Sequence, residues 1–264
     1  HAASFSAAFA QEIAQTNALA RLSRRTHAKV VLLSDSRVYG TGKPNRVYAE
    51  NEYAHLKNTD EKCFEGQLLR SIEAYLNCEK KAGRFELTTL RTGIVLGADT
   101  GLKTPFDDLF KSVAQGTEYT LFNSDRKYSF VYISDVFRAM IYSMTTLKSD
   151  EVYNVTGINS TVSTGMLSAV LHDIYPKTAK LTLGKKDELN ACAILGSKIE
   201  NNGCAPQLKL ETALELCVMS YMDDAKGASL PNTHDGRLDA IQKIQLAGLM
   251  EVDRICKKHN IRYF

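Results

Sequence analysis

The sequence predicts an α/β protein with a parallel sheet, because short apolar runs alternate along the chain with longer segments of helical periodicity. The clearest run is Val30–Leu33, four apolar residues with two β-branched residues in front, which is typical of a strand buried on both faces. Helical patterns lie on either side of it, over residues 4–25 and 64–82, and a β-rich segment follows at 85–91. Strands separated by helices of this length indicate parallel pairing through crossovers.

The alternation continues through the second half of the chain. The expected elements are a helix at 105–115, strands at 119–122 and 128–133, and a helix at 136–144. Gly116 follows the first of these helices, where a glycine favours the left-handed C-terminal cap. Ser134 and Asp135 precede the second helix, and we expect them to form its N-terminal cap.

Composition excludes several classes of protein. The chain has 264 residues and is 44% hydrophobic, which is enough for a sizeable core. Lys plus Arg number 33 and Asp plus Glu 30, and no long basic run suggests nucleic-acid binding. No apolar stretch approaches the roughly 18 residues of a membrane span. The six cysteines form no CxxC pair and the histidines show no metal-ligand spacing, so we expect no metal, no disulfide framework and a reducing, cytoplasmic setting.

A polar turn follows the Val30 strand directly, and the whole stretch reads VVLLSDSRVYG. It resembles the (S/T)SxxVYG segment that ends the fifth strand in the extended short-chain dehydrogenase/reductase family, the NAD(P)-dependent epimerases and dehydratases of nucleotide sugars. Four later segments resemble motifs of the same family in the same order. They are LRTGIVLG, RKYSFVYISDV, EVYNVTG, and the LGSKI segment with Pro206, Leu210 and Glu211.

This resemblance covers residues 1–222 and implies the C-terminal part of a Rossmann-type parallel sheet with a small substrate-binding lobe. It implies a nucleotide sugar as ligand and NAD(P) as possible cofactor. Residues 1–4 resemble the segment that closes the fourth strand, and no GxGxxG turn is found, so we expect the N-terminal cofactor-binding half to be missing. The cofactor contacts implied by the resemblance are Ala2, Ala3, Ser34 and Arg91, and the implied substrate contacts are Ser36 and Arg126.

The residues that carry the family's chemistry are not found at their positions. The family uses a Ser or Thr after the fifth strand, which shares the substrate hydroxyl proton, and a Tyr with a Lys four residues later. Asp35 stands at the hydroxyl position. For the dyad, the resemblance of KCFEGQLLRSIE to CYxEGKRxaE gives three registers, Cys63 with Gln67, Phe64 with Leu68, and Glu65 with Leu69. Ile94 and Tyr128 also replace a substrate-facing Asn and a phosphate-binding Arg, although Arg126 and Lys127 lie beside Tyr128.

Three chemical alternatives stay open at this point. Tyr53 and Lys57 have the dyad spacing and could be a displaced pair, although they lie in a polar segment that is poorly suited to holding a base rigidly. Cys63 could be a nucleophile, but a structural cysteine without a histidine partner is the commoner case. Asp35 and Arg37 could be an acid–base device or, more simply, a loop ion pair.

The C-terminal segment differs in character from the rest. Residues 223–236 are a polar linker rich in Gly, Pro and Asn, and residues 237–264 contain a long amphipathic helical pattern. The final segment, VDRICKKHNIRYF, resembles the opening of LicD/fukutin-related transferases, which modify surface glycans. A dimer-interface helix is the alternative.

Three functions follow from the sequence. The first is a nucleotide-sugar epimerase/dehydratase-like domain, diverged or non-catalytic, in surface-glycan biosynthesis beside a LicD-like domain. The second is an active NAD(P)-dependent sugar-modifying enzyme that uses Tyr53 and Lys57. The third is a structural interaction module. A homodimer is compatible with each of them.

Overall fold

The computed structural model describes residues 5–40, 43, 45–52, 63–83, 85–97, 105–177, 180–187 and 189–224, together with Met250, Arg254, Lys257 and Lys258. Its helices are α1 (Phe5–Thr26), α2 (Phe64–Gly83), α3 (Pro105–Gln115), α4 (Ile133–Thr145), α5 (Thr164–Ile174), α6 (Ser197–Asn201) and α7 (Leu210–Asp224). Its strands are β1 (Val30–Asp35), β2 (Val47–Tyr48), β3 (Leu87–Thr92), β4 (Ile94–Leu96), β5 (Glu118–Asn123), β6 (Tyr128–Tyr132), β7 (Val152–Val155), β8 (Thr161–Val162), β9 (Lys180–Lys186) and β10 (Ala193–Ile194).

The main sheet is parallel, as the sequence predicts, and has the strand order β1-β3-β7. Apolar residues of α1 and α2 pack on one face of it, around Val30, Ile72 and Leu76. The opposite face packs against α4, where Val136 and Ala139 meet β3 and β7. The fold class predicted from the strand–helix alternation is therefore confirmed.

The prediction that the Val30 strand is buried on both faces is wrong for three of its four apolar residues. Val30 is buried, but Val31 and Leu32 are only half-buried and Leu33 is 46% exposed. In the described part of the chain β1 pairs with β3 and lies at the edge of the sheet, so its outer face is only partly covered. An apolar run alone does not distinguish an edge strand from a central one.

The remaining strands, β4, β5, β6, β8 and β9, form smaller sheets that pack with α3, α5 and α7 around a second core, and we call this part the lobe. Strand β4 pairs in parallel with β6, β6 pairs antiparallel with β8, and β5 pairs in parallel with β9. Their apolar side chains meet those of α3, α5 and α7 in the largest buried cluster, where Phe106 and Phe130 pack edge to face with centroids 5.2 Å apart. Strands β2 and β10 pair in parallel and lie between the main sheet and the lobe.

Most predicted element bounds agree with the structure to within one or two residues, and Gly116 has the expected positive φ of 66°. The predicted cap of α4 is wrong. This helix begins at Ile133, and the backbone cap at Tyr132 has no side-chain hydrogen bond. Asp135 lies inside the first turn, where it accepts from Arg138 Nη1 and from the backbone N–H groups of Gln207 and Leu208. It therefore joins α4 to the segment before α7.

The expected absences concern only the described residues. Among them, no helix is long and apolar enough to cross a membrane. No group of three or more His, Cys, Asp or Glu in the same part of the chain is arranged to hold a metal ion. Five cysteines in these segments are free thiols, at positions 63, 78, 192, 204 and 217.

Candidate functional site

The turn at the carboxyl end of β1 is built around Asp35. Its carboxylate accepts from the backbone N–H of Arg37 at 2.7 Å and so caps the short 3-10 helix Ser36–Tyr39. The same carboxylate accepts from Arg37 Nε at 2.8 Å and from Arg37 Nη2. A charged fork of this kind is among the stronger hydrogen-bonded pairs. The predicted loop ion pair between Asp35 and Arg37 is present.

Arg37 also reaches the first turn of α2, where its Nη1 donates to Glu65. Burial alone would lower the pKa of Arg37, but its hydrogen bond to Asp35 and the charges of Asp35 and Glu65 outweigh burial and raise that pKa. Arg37 therefore stays charged. It forms an ionic bridge between the turn after β1 and α2, which we call the Arg37 bridge.

A buried polar network lies behind this turn, at the carboxyl ends of β1, β3 and β7. Ser34 Oγ donates to Glu73 Oε1 at 2.8 Å. Arg91 binds both carboxylate oxygens of Glu73, through Nε at 3.1 Å and through Nη2 at 2.6 Å. The Arg91 and Glu73 side chains are only 1% and 6% exposed, so this is a buried ion pair with hydrogen bonds to satisfy both partners.

Tyr39 and Asn154 extend the network toward β7. Arg91 Nη1 donates to the Tyr39 hydroxyl at 3.0 Å, and that hydroxyl donates to Asn154 Oδ1 at 2.7 Å. Burial raises the pKa of Tyr39 to about 12, against the effect of Arg91, whose charge and hydrogen bond favour the ionised form. The Tyr39 phenol is therefore neutral at physiological pH, and its hydroxyl joins Arg91 to Asn154 by hydrogen bonds.

Residues 45–52 close over this network as a strap. Arg91 Nη1 donates to the Glu50 carbonyl, and the Asn154 backbone N–H donates to Glu50 Oε1 at 2.9 Å. Asn154 Nδ2 donates to the carbonyl of Tyr48. Because Tyr48 also belongs to β2, which pairs with β10, the strap connects the main sheet to the lobe.

The predicted ligand contacts lie on or near this assembly. Ser34 and Arg91 belong to the buried network, and their contact with a cofactor stays a prediction. Ser36 is buried beneath the turn, and its carbonyl accepts from Cys192 Sγ at 3.6 Å. Arg126 is also buried, between β5 and β6. Burial raises the pKa of the Cys192 thiol to about 12, although the charges of Arg126 and Arg70 act in the opposite direction.

Tyr128 has a structural role at the position where the resemblance implies an arginine. Its side chain is fully buried. Its hydroxyl lies 3.2 Å from Ser124 Oγ and accepts from the backbone N–H of Leu189 at 3.1 Å. Tyr128 thereby fixes the segment before β10. A phosphate would have to be held by neighbouring residues.

The dyad candidates are placed as follows. Cys63 is completely buried at the start of α2, in accord with the structural role that was the commoner alternative. Gln67 is half-buried on the same helix. Glu65, from the third register, is the residue that the Arg37 bridge joins to Asp35. Tyr53 and Lys57, like Ala2 and Ala3, lie outside the described residues.

Sequence reasoning missed Glu73, Glu50 and the role of Asn154. Each meets partners that are far away in sequence, as in the hydrogen bond between Tyr39 and Asn154, which are 115 positions apart. One signal was available. Glu73 interrupts the apolar stripe of α2 next to Ile72, and Arg91 interrupts a β-rich run, so each charge needs a buried partner.

The residues at this edge of the sheet do not by themselves form a cradle for NAD. The side chains of Ser34 and Arg91 are 3% and 1% exposed, and both form hydrogen bonds to Glu73. Both side chains are therefore already used in structural hydrogen bonds within the buried network.

Comparison with known proteins gives consistent results. The sequence model of the NAD dependent epimerase/dehydratase family matches residues 2–156. Among solved structures, the UDP-glucose 4-epimerase of Thermotoga maritima, determined with UDP-glucose, is 20% identical with a TM-score of 0.68, over 80% of this chain and 69% of that one. A UDP-glucuronic acid 4-epimerase of Bacillus cereus with NAD is 20% identical with a TM-score of 0.69, over 84% and 70% of the two chains. A dTDP-glucose 4,6-dehydratase of Bacillus anthracis with NAD is 18% identical with a TM-score of 0.67, over 80% and 68%. No curated protein matches the sequence significantly.

Proposed function

The chain belongs to the NAD dependent epimerase/dehydratase family, and from this premise we propose that it is a nucleotide-sugar-binding member that no longer catalyses the family's reaction. The observation that carries the proposal is the Arg37 bridge. It occupies the turn where the family resemblance requires a hydroxyl, and its other end is on the helix where the resemblance requires the Tyr and Lys.

The chemistry of Asp35 supports this proposal. An ionised carboxylate only accepts hydrogen bonds, and the Asp35 oxygens already accept from three N–H groups of Arg37. It cannot donate a proton to a substrate hydroxyl as Ser or Thr does. In the described part of α2, none of the three registers supplies a phenol with an ammonium group four residues later. Acid–base catalysis at this turn therefore lacks its proton carriers.

Binding is tested by isothermal titration of the full-length gene product with UDP-glucose and, separately, with NAD. We expect a saturable signal with UDP-glucose, since the relatives solved with nucleotide sugars share this fold. We expect NAD to bind more weakly than UDP-glucose, because Ser34 and Arg91 are held by Glu73. If neither ligand binds, the third function, a structural interaction module, replaces this proposal.

Two parts of the proposal concern biological context. We propose that residues 237–264 begin a LicD-like domain, and that the protein acts in surface-glycan biosynthesis in a reducing, cytoplasmic compartment. The resemblance of VDRICKKHNIRYF and the free cysteines support this context. An acidic metal-binding cluster in the gene sequence downstream is the expected finding, and its absence would contradict the LicD assignment.

The alternative enzyme function depends on Tyr53 and Lys57, which have the family's dyad spacing. Their segment follows the strap, whose last described residue, Glu52, accepts from the backbone N–H of Ala49. The dyad spacing of Tyr53 and Lys57 is the feature that favours an active enzyme. A variant at Tyr53 separates the two functions.

A further inference from the structure

Arg37 occupies the space between the turn after β1 and the first turn of α2. Its side chain is 34% exposed, so most of it is covered by protein. Three of its N–H groups are directed to carboxylates, Nε and Nη2 to Asp35 and Nη1 to Glu65. Arg70, one turn further along α2, donates from Nε to the Val38 carbonyl and holds the same turn against the helix.

The two carboxylates that Arg37 joins lie where the family resemblance places groups that contact the substrate. Asp35 stands at the position of the hydroxyl that shares the substrate proton. Glu65 stands at the position of the tyrosine in one of the three registers. The family places the reacting sugar hydroxyl between those two groups. In this chain, a guanidinium group lies between Asp35 and the first turn of α2, beside the residues at which the three registers begin, Cys63, Phe64 and Glu65.

We propose that Arg37 is a built-in plug that keeps the sugar ring out of this gap, so that the protein recognises the nucleotide part of its ligand and not the sugar. The proposal rests on the proposed function, which supplies a nucleotide ligand. To that function this proposal adds Arg37 as the residue that determines specificity and the sugar ring as the group that is excluded.

Charge explains why a sugar does not displace the plug. A sugar hydroxyl that entered the gap would separate Arg37 from Asp35 and Glu65 and would leave two carboxylates without their cation. Neutral hydroxyl groups form weaker hydrogen bonds to a carboxylate than a charged guanidinium fork does. The cost falls mainly on Asp35, whose side chain is 24% exposed, because the exposed Glu65 carboxylate is solvated without a partner. The bridged arrangement is therefore favoured over a sugar-bound one.

The simpler explanation is a loop ion pair with no influence on ligands, and a matched pair of variants separates the two. Arg37→Ala removes the plug. Arg24→Ala removes another arginine that joins α2 to a neighbouring element, through Glu79, and its side chain is 35% exposed. Both variants lose one ion pair to α2, but only the first opens the gap. Thermal unfolding of each variant confirms that it folds.

The affinities of UDP and UDP-glucose are measured by titration in the full-length wild type and both variants. In wild type and Arg24→Ala we expect the two affinities to agree within about twofold, since the sugar contributes nothing. In Arg37→Ala we expect UDP-glucose to bind about tenfold more tightly than UDP, a gain typical of a few new hydrogen bonds. A sugar contribution already present in wild type, or unchanged in Arg37→Ala, overturns the proposal.

A second measurement does not depend on nucleotide binding. Ethylguanidinium matches the removed part of Arg37, so at millimolar concentration it is expected to raise the melting temperature of Arg37→Ala and not that of Arg24→Ala. If neither UDP nor UDP-glucose binds any form, the proposed function and the nucleotide specificity both fail, and the rescue then tests only whether Arg37 fills a gap between the turn and α2. Rescue limited to Arg37→Ala supports a gap that a guanidinium group fills, and equal effects on both variants overturn it.

Discussion

Replacing Glu73 by leucine is expected to lower the free energy of unfolding by about 3–5 kcal/mol, because Arg91 then carries a buried charge without its carboxylate. The Ser34 hydroxyl loses its acceptor in the same substitution. Chemical denaturation of the variant and the wild type measures the difference. The loss is expected to appear as a lower midpoint with an unchanged slope.

Two companion variants make this test specific. Glu65→Leu removes a glutamate from the same helix, but Glu65 is 63% exposed, so its pair with Arg37 is expected to contribute at most about 1 kcal/mol. The double variant Glu73→Leu/Arg91→Met removes both buried charges and is expected to be more stable than Glu73→Leu alone. Equal losses for Glu73→Leu and Glu65→Leu would contradict the view that the buried network stabilises this edge of the sheet.

Replacing Gly93 by alanine is expected to destabilise the protein by about 2–3 kcal/mol, because the added methyl group has no space. Gly93 lies between β3 and β4, where the chain passes from the main sheet to the lobe. A Cβ atom there would lie 2.4 Å from the backbone oxygen of Ser129 and 2.8 Å from its carbonyl carbon. Backbone atoms of β6 cannot rotate away as a side chain can, so the strands must separate.

Gly165→Ala is the matched control for this substitution. Gly165 lies in the first turn of α5, and the nearest atom to its Cβ position is a Leu183 methyl carbon at 3.7 Å, an ordinary contact. Alanine favours helix over glycine by up to about 1 kcal/mol, so we expect a neutral or slightly stabilising effect. A Gly93→Ala variant as stable as Gly165→Ala would show that the joint between sheet and lobe is not tightly packed.

The parts of the fold that depend on local pattern could be predicted. The periodicity of α1 and α2 and the apolar run of β1 are properties of neighbouring residues, and the structure has these elements within one or two residues of the expected bounds. The ion pair of Asp35 and Arg37 is also local, since two residues separate them. Strand β9 was not predicted, because most of its residues are exposed and its polar–apolar alternation covers only Lys180–Leu183.

The parts that depend on distant partners could not be predicted. Asp135 resembles an N-cap in sequence, yet its acceptor capacity is used by Gln207 and Leu208, more than 70 positions away. Asn154 resembles an ordinary strand residue, and only the fold shows that it joins Tyr39 to the strap. The turn after β1, where the sequence places the candidate site, contains the expected ion pair, and its role as a site stays a prediction. The Arg37 bridge across it needed the position of α2 in space.

The most direct test of the central claim is a turnover assay of the full-length gene product with UDP-glucose and NAD, with chromatographic detection of epimerised, dehydrated or oxidised product. We predict no product above the background of a heat-denatured sample, because Asp35 is held by Arg37 and the described part of α2 provides no Tyr–Lys dyad. Steady product formation that is abolished by Tyr53→Phe and retained in Arg24→Ala would contradict this account and would establish the displaced dyad instead.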